Sequence, residues 1–169
     1  MAMPADPVGA SFVDSCPFCA IAAGDKLQHV VAADDLTMAF LDIRPAFKGH
    51  VLVIPRTHHR TLAELPPELV APLFAQVREV SAAMSAGLGA NGCFVGVNNT
   101  VDQTVPHLHV HVVPRTRRDG LHGAASLMVS VFSRVLWPRR RYSGDAEAAD
   151  YARKLAQALA RDHPPEPAP

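Results

Sequence analysis

Apolar and polar positions along this chain follow two different periods. In "PPELVAPLFAQVREVSAAMSAGL" (66–88), Leu69, Leu73, Val77, Val80 and Met84 recur at three- and four-residue spacing, which is the stripe of an amphipathic helix. Pro66 and Pro67 suit its start, Gly87 and Gly89 suit its end, and Pro72 falls in its first turns, where a proline can kink the axis. Elsewhere the pattern is that of strands. "HVVAADD" (29–35) and "LTMAFLDI" (36–43) read as two strands joined by a tight turn at Asp34-Asp35. "HVLVIP" (50–55) is a strong β run ended by Pro55, and "GCFVGVNN" (92–99) is another strand. "VPHLHVHVVP" (105–114) alternates most strictly of all. "CPFCAIAAGD" (16–25) carries a helical turn or two ended by Gly24, and Asp145 to Arg161 reads as an Ala-rich helix. This order predicts an α+β fold: an antiparallel sheet of about five strands with one long helix and a C-terminal helix. A single domain is expected over 15–162, between a flexible segment 1–14 and a disordered tail 163–169.

Composition narrows the class. The 169 residues carry 16 basic and 16 acidic side chains, and 49% are apolar. A globular chain of zero formal charge argues against nucleic-acid or membrane-surface binding through net charge. The three cysteines are odd in number and include the close pair Cys16 and Cys19, so they are not a disulfide framework. The N-terminus lacks signal-peptide order, and the longest apolar run, "AASLMVSVF" (124–132), is too short to span a bilayer. A soluble cytoplasmic protein is expected.

The alternating run holds the chemistry. His107, His109 and His111 take every second position, with Leu108, Val110 and Val112 between them. On a strand the apolar members enter a core, and the imidazoles line the other face roughly 7 Å apart. A solvated row is the bland alternative, but protonating one imidazole disfavours protonating the next. Such a row is a device for phosphate, metal or protons. Asn98 and Asn99 end the preceding strand, Gln103 and Thr104 lie just upstream, Asp42 ends "AFLDI", and His50 follows Gly49, which lets the backbone turn tightly. "GLGANG" (87–92) lacks the Lys-Ser/Thr of a phosphate loop, and no serine nucleophile elbow is present, so an imidazole is the natural nucleophile.

"PHLHVHVVPR" resembles the His-φ-His-φ-His-φ-φ signature (φ apolar) of the histidine triad family of nucleotide hydrolases and transferases. "AFLDIRPAFKGHVLVIPRTH" (39–58) resembles that family's nucleoside-binding block, and "GVNN…QTVPH" its phosphate-side block, so the likeness covers about residues 16–120. The resemblance implies a role for each position. His109 resembles the covalent nucleophile and His111 the ligand of the reacting phosphate. His107 resembles the triad member that orders the strand, and Asn98 the amide near the scissile phosphate. Gln103 and Thr104 resemble the polar pair at the phosphate and leaving group. Asp42 resembles the carboxylate for the ribose hydroxyls, Phe40, Leu41 and Ile43 stand where the base packs, and His50 resembles a further histidine near the phosphate. The implied activity is cleavage of a bond to the α-phosphate of a purine nucleotide or dinucleotide through a His-nucleotidyl intermediate. Substrates would be nucleoside phosphoramidates and acyl-nucleotides, or dinucleoside polyphosphates, the latter favoured slightly by Arg115, Arg117 and Arg118 after the triad. The rival readings are a non-catalytic nucleotide-binding protein and a metal-binding regulatory protein.

The "CPFC" pair alone is half a zinc site, and the rival reading is two reduced thiols packed as small apolar residues. Some triad proteins complete it with a histidine after the "VIP" strand and with the first triad histidine, which implies structural zinc on Cys16, Cys19, His58 and His107, with His59 an alternative to His58. The family also implies a homodimer, consistent with apolar area on helix 66–88 and a free edge at strand 92–98. Residues 121–142 are longer and more apolar than that pattern, and are a candidate interface or lid.

Overall fold

A computed structural model describes residues 15–25, 29–117 and 142–162. Helix α1 (Pro17–Ala23) leads into strands β1 (Val30–Ala33), β2 (Thr37–Leu41) and β3 (Val51–Pro55). A 3-10 turn (Leu62–Glu64) and helix α2 (Pro67–Leu88) follow, then β4 (Gly92–Val97), β5 (Val110–Arg115) and helix α3 (Asp145–Asp162). The strands form one antiparallel sheet in the order β1-β2-β3-β5-β4. The fold is α+β, as the two periods predict. The expectations for 1–14, 163–169 and 121–141 lie outside the described residues.

Both faces of the central strands are buried, and the two-residue period sorts their side chains. Ala39, Leu41, Val51, Val53, Leu108, Val110 and Val112 pack against Leu73, Val77, Val80 and Met84 of α2 and Ala148, Ala152 and Leu155 of α3. Met38, Phe40, Leu52 and Ile54 point the other way, onto Phe18, Ile21 and Ala22 of α1. Helix α1 is clamped to the sheet by Arg56, whose Nη2 donates to the Ala22 carbonyl at 2.6 Å, and it ends at Gly24 in the left-handed conformation (φ 87°).

Helix α2 runs through Pro72 without stopping, since the residue lies near the helix start and removes only one backbone bond. The triad strand is shorter than expected. β5 begins at Val110, and its ladder with β3 stops at Val53↔Val110. Pro55 and Pro106 have no N–H to extend it, so His107 and His109 lie beyond the sheet's hydrogen bonding. β4 likewise ends at Val97, leaving Asn98 and Asn99 in the following loop.

Candidate active site

A cavity of about 300 Å³ opens on the α1 side of the sheet. Phe40, Asp42, Ile43, Thr104, His109 and His111 line it, as the sequence reading places them. Five further walls escaped that reading: Pro17, Phe18 and Ile21 from α1, Leu52 and Val105. Leu52 was legible, because it pairs with Phe40 across β2 and β3 and so shares its face. Phe18 had a signal too, since it sits between the two cysteines. Arg44 also reaches the cavity.

Leu41 is a correction. It is buried beneath the helices on the opposite face, because it lies between Phe40 and Asp42 on a strand and must point away from both. Asn98 is exposed past the end of β4 and is absent from the cavity wall. Its neighbour Asn99 accepts a hydrogen bond from the Leu62 N–H at 2.8 Å, a structural duty. Gln103 braces backbone: Oε1 accepts from the Thr100 N–H, and Nε2 donates to the carbonyls of Arg60 (2.6 Å) and His107 (3.4 Å).

The polar network of the cavity centres on His109, which is only 3% exposed. Its Nδ1 lies 2.7 Å from the His107 carbonyl. A carbonyl only accepts, so Nδ1 carries a proton, and in the neutral ring Nε2 is the lone-pair nitrogen. The rings of His109 and His111 stand 4.8 Å apart, edge to face. His111 Nδ1 lies 3.0 Å from His50 Nε2. His50 Nδ1 lies 3.2 Å from the Ala46 N–H and 3.3 Å from Asp42 Oδ2. His50 Nδ1 accepts from the Ala46 N–H, and the Asp42 carboxylate beside it is anchored at its other oxygen by the Arg44 N–H at 2.8 Å. His50 stands behind His111 and outside the cavity wall. Gly49 makes this possible: its φ is +91° and its N–H donates to the Tyr142 hydroxyl, which turns the chain into His50.

Beside the cavity, ligand atoms of Cys16, Cys19, His58 and His107 lie within 4.8 Å of one another. His107 Nδ1 is 3.5 Å from both sulfurs, and Cys19 Sγ is 3.2 Å from His58 Nδ1. A tetrahedral zinc with ordinary bond lengths has a sulfur–nitrogen edge of roughly 3.6 Å, so the four atoms already stand near the corners of such a site. His107 Nε2 donates to the Pro55 carbonyl at 3.0 Å, which leaves Nδ1 as the lone-pair nitrogen facing the sulfurs. His59 is turned away, with Nε2 at 3.0 Å from the Thr57 hydroxyl, so His58 is the histidine that joins the cluster. Burial pushes His107 down to about 4, and lowers His58 as well. Burial, reinforced by the neighbouring Cys16, pushes the Cys19 thiol up to about 12. So lowered, His58 and His107 favour the neutral imidazoles that ligands must be, whereas the raised Cys19 thiol needs a cation to surrender its proton.

Arg115 lies at the far end of β5 with its guanidinium stacked over Phe47 at 5.5 Å, and the Arg117 N–H is held by Asn91. Neither lines the cavity, so they give no support to a site for extra phosphates. Arg118 lies outside the described residues.

The family model of the HIT domain matches residues 23–118. The chain belongs to the HIT domain family. This HIT protein is 35% identical over 116 residues to the adenylylsulfatase HINT3 of Arabidopsis thaliana, a match that takes in 68% of the chain and 59% of that relative's length. It is 37% identical over 107 residues to the adenosine 5'-monophosphoramidase hnt1 of Schizosaccharomyces pombe, covering 62% of this chain and 77% of that one. Among solved structures it is similar to a zinc-bound histidine triad family protein from Mycobacterium smegmatis, with a TM-score of 0.73, 35% identity, and coverage of 90% and 99% of the two chains. Relatives with hydrolase names support nucleotide hydrolysis as the general activity. No helix among the described residues is long and apolar enough to cross a membrane.

Proposed function

We infer that this HIT protein cleaves a bond to the α-phosphorus of a purine mononucleotide derivative, a nucleoside phosphoramidate or an acyl- or sulfo-nucleotide, through a covalent intermediate on His109. The observation that carries this reading is the His109 Nδ1 contact to the His107 carbonyl, which leaves Nε2 as a lone-pair nitrogen on a cavity-lining residue. That nitrogen attacks phosphorus, and the leaving group departs with a proton drawn from solvent. Water then attacks phosphorus, the phosphorus–nitrogen bond breaks, and the nucleoside monophosphate, the neutral imidazole and one proton to solvent are released. Asp42 receives the ribose hydroxyls. Phe18, Ile21, Phe40, Ile43 and Leu52 enclose the base, and Thr104 and His111 meet the phosphate. Asn98, one residue past the last ladder pair Val97↔Val110 and outside the cavity wall, is the amide assigned to the scissile phosphate. His107 and Gln103 support this set from behind. The names of the two relatives above fit mononucleotide substrates.

Zinc fits the cluster of Cys16, Cys19, His58 and His107 by donor chemistry and spacing. When bound it supplies a cross-link that ties α1 to the sheet. A homodimer covers the outer edge of β4, where Val95 is 40% exposed, and the exposed Val70 and Phe74 on α2. Light scattering should then give twice the 18.1 kDa of one chain.

The deciding experiment is rapid quenching with adenosine phosphoramidate. The chain should gain one adenylyl group, labile in acid and stable in alkali. His109→Asn should abolish the adduct and slow turnover by several orders of magnitude while AMP still binds. Near wild-type turnover by His109→Asn would rule out the covalent route.

A further inference from the structure

His109 sits where the sheet cannot hold it. The β3–β5 ladder ends at Val110, and Pro55 has no N–H to offer the next rung. The peptides from His107 to His109 are held by other means. The Leu108 N–H donates to the His59 carbonyl at 2.6 Å, one residue from the cluster member His58. The His107 ring, with no exposed surface, is fixed at both nitrogens: Nε2 by the Pro55 carbonyl and Nδ1 between the two sulfurs. The His107 carbonyl is the atom that takes the Nδ1 proton of His109. Phe18, borne between Cys16 and Cys19, packs edge-on against His107 (5.9 Å) and His109 (5.3 Å). These ties converge on the four-ligand cluster and the residues around it, with Gln103 Nε2 a further donor to the His107 carbonyl at 3.4 Å.

We propose that Cys16, Cys19 and His58 are positioning residues for the reaction: acting through the His107 peptide and Phe18, the metal-binding cluster sets the tautomer and orientation of His109. This goes beyond a staple for α1, and it rests on His109 being the nucleophile. Binding a dication to four groups that already converge locks the His107 ring, hence its carbonyl, hence which nitrogen of His109 holds the proton. Without the lock, two unpaired thiols and two imidazoles share one pocket, and the 107–109 peptides lose the constraint the ladder does not supply. Misplacing a reacting atom by about 1 Å costs on the order of 100-fold. Asp42, Phe40, Ile43 and Leu52 reach the cavity from the sheet and its loop, whereas Phe18 belongs to both the cavity wall and the mount.

The test compares untreated protein, protein stripped with dipicolinate, and Cys19→Ser, with Cys19→Asp as the variant that restores a ligand oxygen. Metal content, far-UV circular dichroism, AMP affinity, kcat and KM for adenosine phosphoramidate, and the imidazole 15N shifts of His109 are read on each. Stripping and Cys19→Ser should lower kcat by about 100-fold, with a smaller loss of AMP affinity through Phe18 and Ile21, and replace the single Nδ1–H tautomer of His109 by a mixture. Zinc addition to stripped protein, and Cys19→Asp with zinc, should recover tautomer and kcat together. A stripped protein that stays folded with one Nδ1–H tautomer and full kcat would overturn the proposal, as would untreated protein that takes up no zinc. Should Cys19→Ser fail to fold, the stripped wild type decides. The tautomer is read without turnover, so a His109→Asn enzyme that still works would defeat the covalent mechanism and leave the mount to be judged on the 15N shifts.

Discussion

Against α2 and α3 the sheet presents Ala39, Leu41, Val51, Val53, Val110 and Val112, and against α1 it presents Met38, Phe40, Leu52 and Ile54. These are alternate residues of the same strands. On the helix side the core is aliphatic, and its side chains interlock by shape. On the α1 side the apolar patch gives way, at the sheet's end, to His107, His109, His50 and Asp42, each buried and each with a named partner. A shape-packed face tolerates changes that keep volume, and its losses show as stability. A face of partnered polar groups tolerates little, because removing one member strands another in a dry place. The helix side therefore governs whether the protein folds, and the α1 side governs what the folded protein does.

Truncation on the helix side should separate the two most widely. Leu155 of α3 is fully buried among α2 and the sheet. Leu155→Ala should cost about 3 kcal/mol, the transfer of the lost methyls plus the cavity they leave. Urea denaturation should show this as a lower midpoint at unchanged slope. Turnover per folded molecule at 25 °C should stay within twofold of wild type. A large fall in kcat would mean that the two faces are mechanically coupled and the contrast is false.

The same contrast explains what the sequence disclosed. Period-two and period-3.6 patterns mark where apolar area must be buried, so α2, β2, β3 and the stem of β5 were legible, along with the histidines that alternate with β5's core residues. The limits of the triad strand were not, because they depend on prolines in two segments, Pro55 and Pro106, meeting at one place. The resemblance groups Leu41 with Phe40 and Ile43 at the base, although strand alternation turns it to the opposite face. Asn98 and Asn99 are alike in sequence, and only tertiary packing gives Asn99 the Leu62 N–H. Which histidine joins Cys16 and Cys19 was likewise beyond spacing alone, since His58 and His59 differ by one residue and point oppositely.

A smaller effect is expected where β1 turns into β2. Asp34 accepts from the N–H groups of Leu36 and Thr37, both at 2.7 Å, and from the Thr37 hydroxyl, which also meets Gln76 of α2 at 2.8 Å. Burial alone would raise this carboxyl, but the two N–H groups and the hydroxyl outweigh it and hold Asp34 below the ordinary carboxylate range. A group with a lowered folded pKa gives stability that is present above its unfolded pKa and lost as pH falls through the folded value. Asp34→Ala should cost about 1–2 kcal/mol at pH 7. The gap between variant and wild type should narrow as denaturation is repeated toward pH 3. A gap that stays constant would mean that the turn is held by shape, as the rest of the helix side is.

The smallest change tests the other side, in the loop that carries Gln103. Thr100 has φ 68° and Asp102 φ 58°. Aspartate visits that region readily, but a β-branched threonine is strained there, at a cost of order 1–3 kcal/mol. The loop keeps this conformation because the Thr100 N–H reaches Gln103 Oε1 at 3.1 Å while Gln103 Nε2 braces the Arg60 carbonyl. Thr100→Gly removes the strain and keeps the N–H, but it also loosens the unfolded chain by about 0.5–1 kcal/mol. The net gain should be about 0.5 kcal/mol, a rise of roughly 1–2 °C in Tm by differential scanning calorimetry. On a partnered polar face the bonds, and not the side chain at position 100, hold the geometry, so kcat should be unchanged. A Thr100→Gly enzyme that is more stable yet markedly slower would show that the strained threonine is itself part of the site, positioning Gln103 and through it the His107 carbonyl.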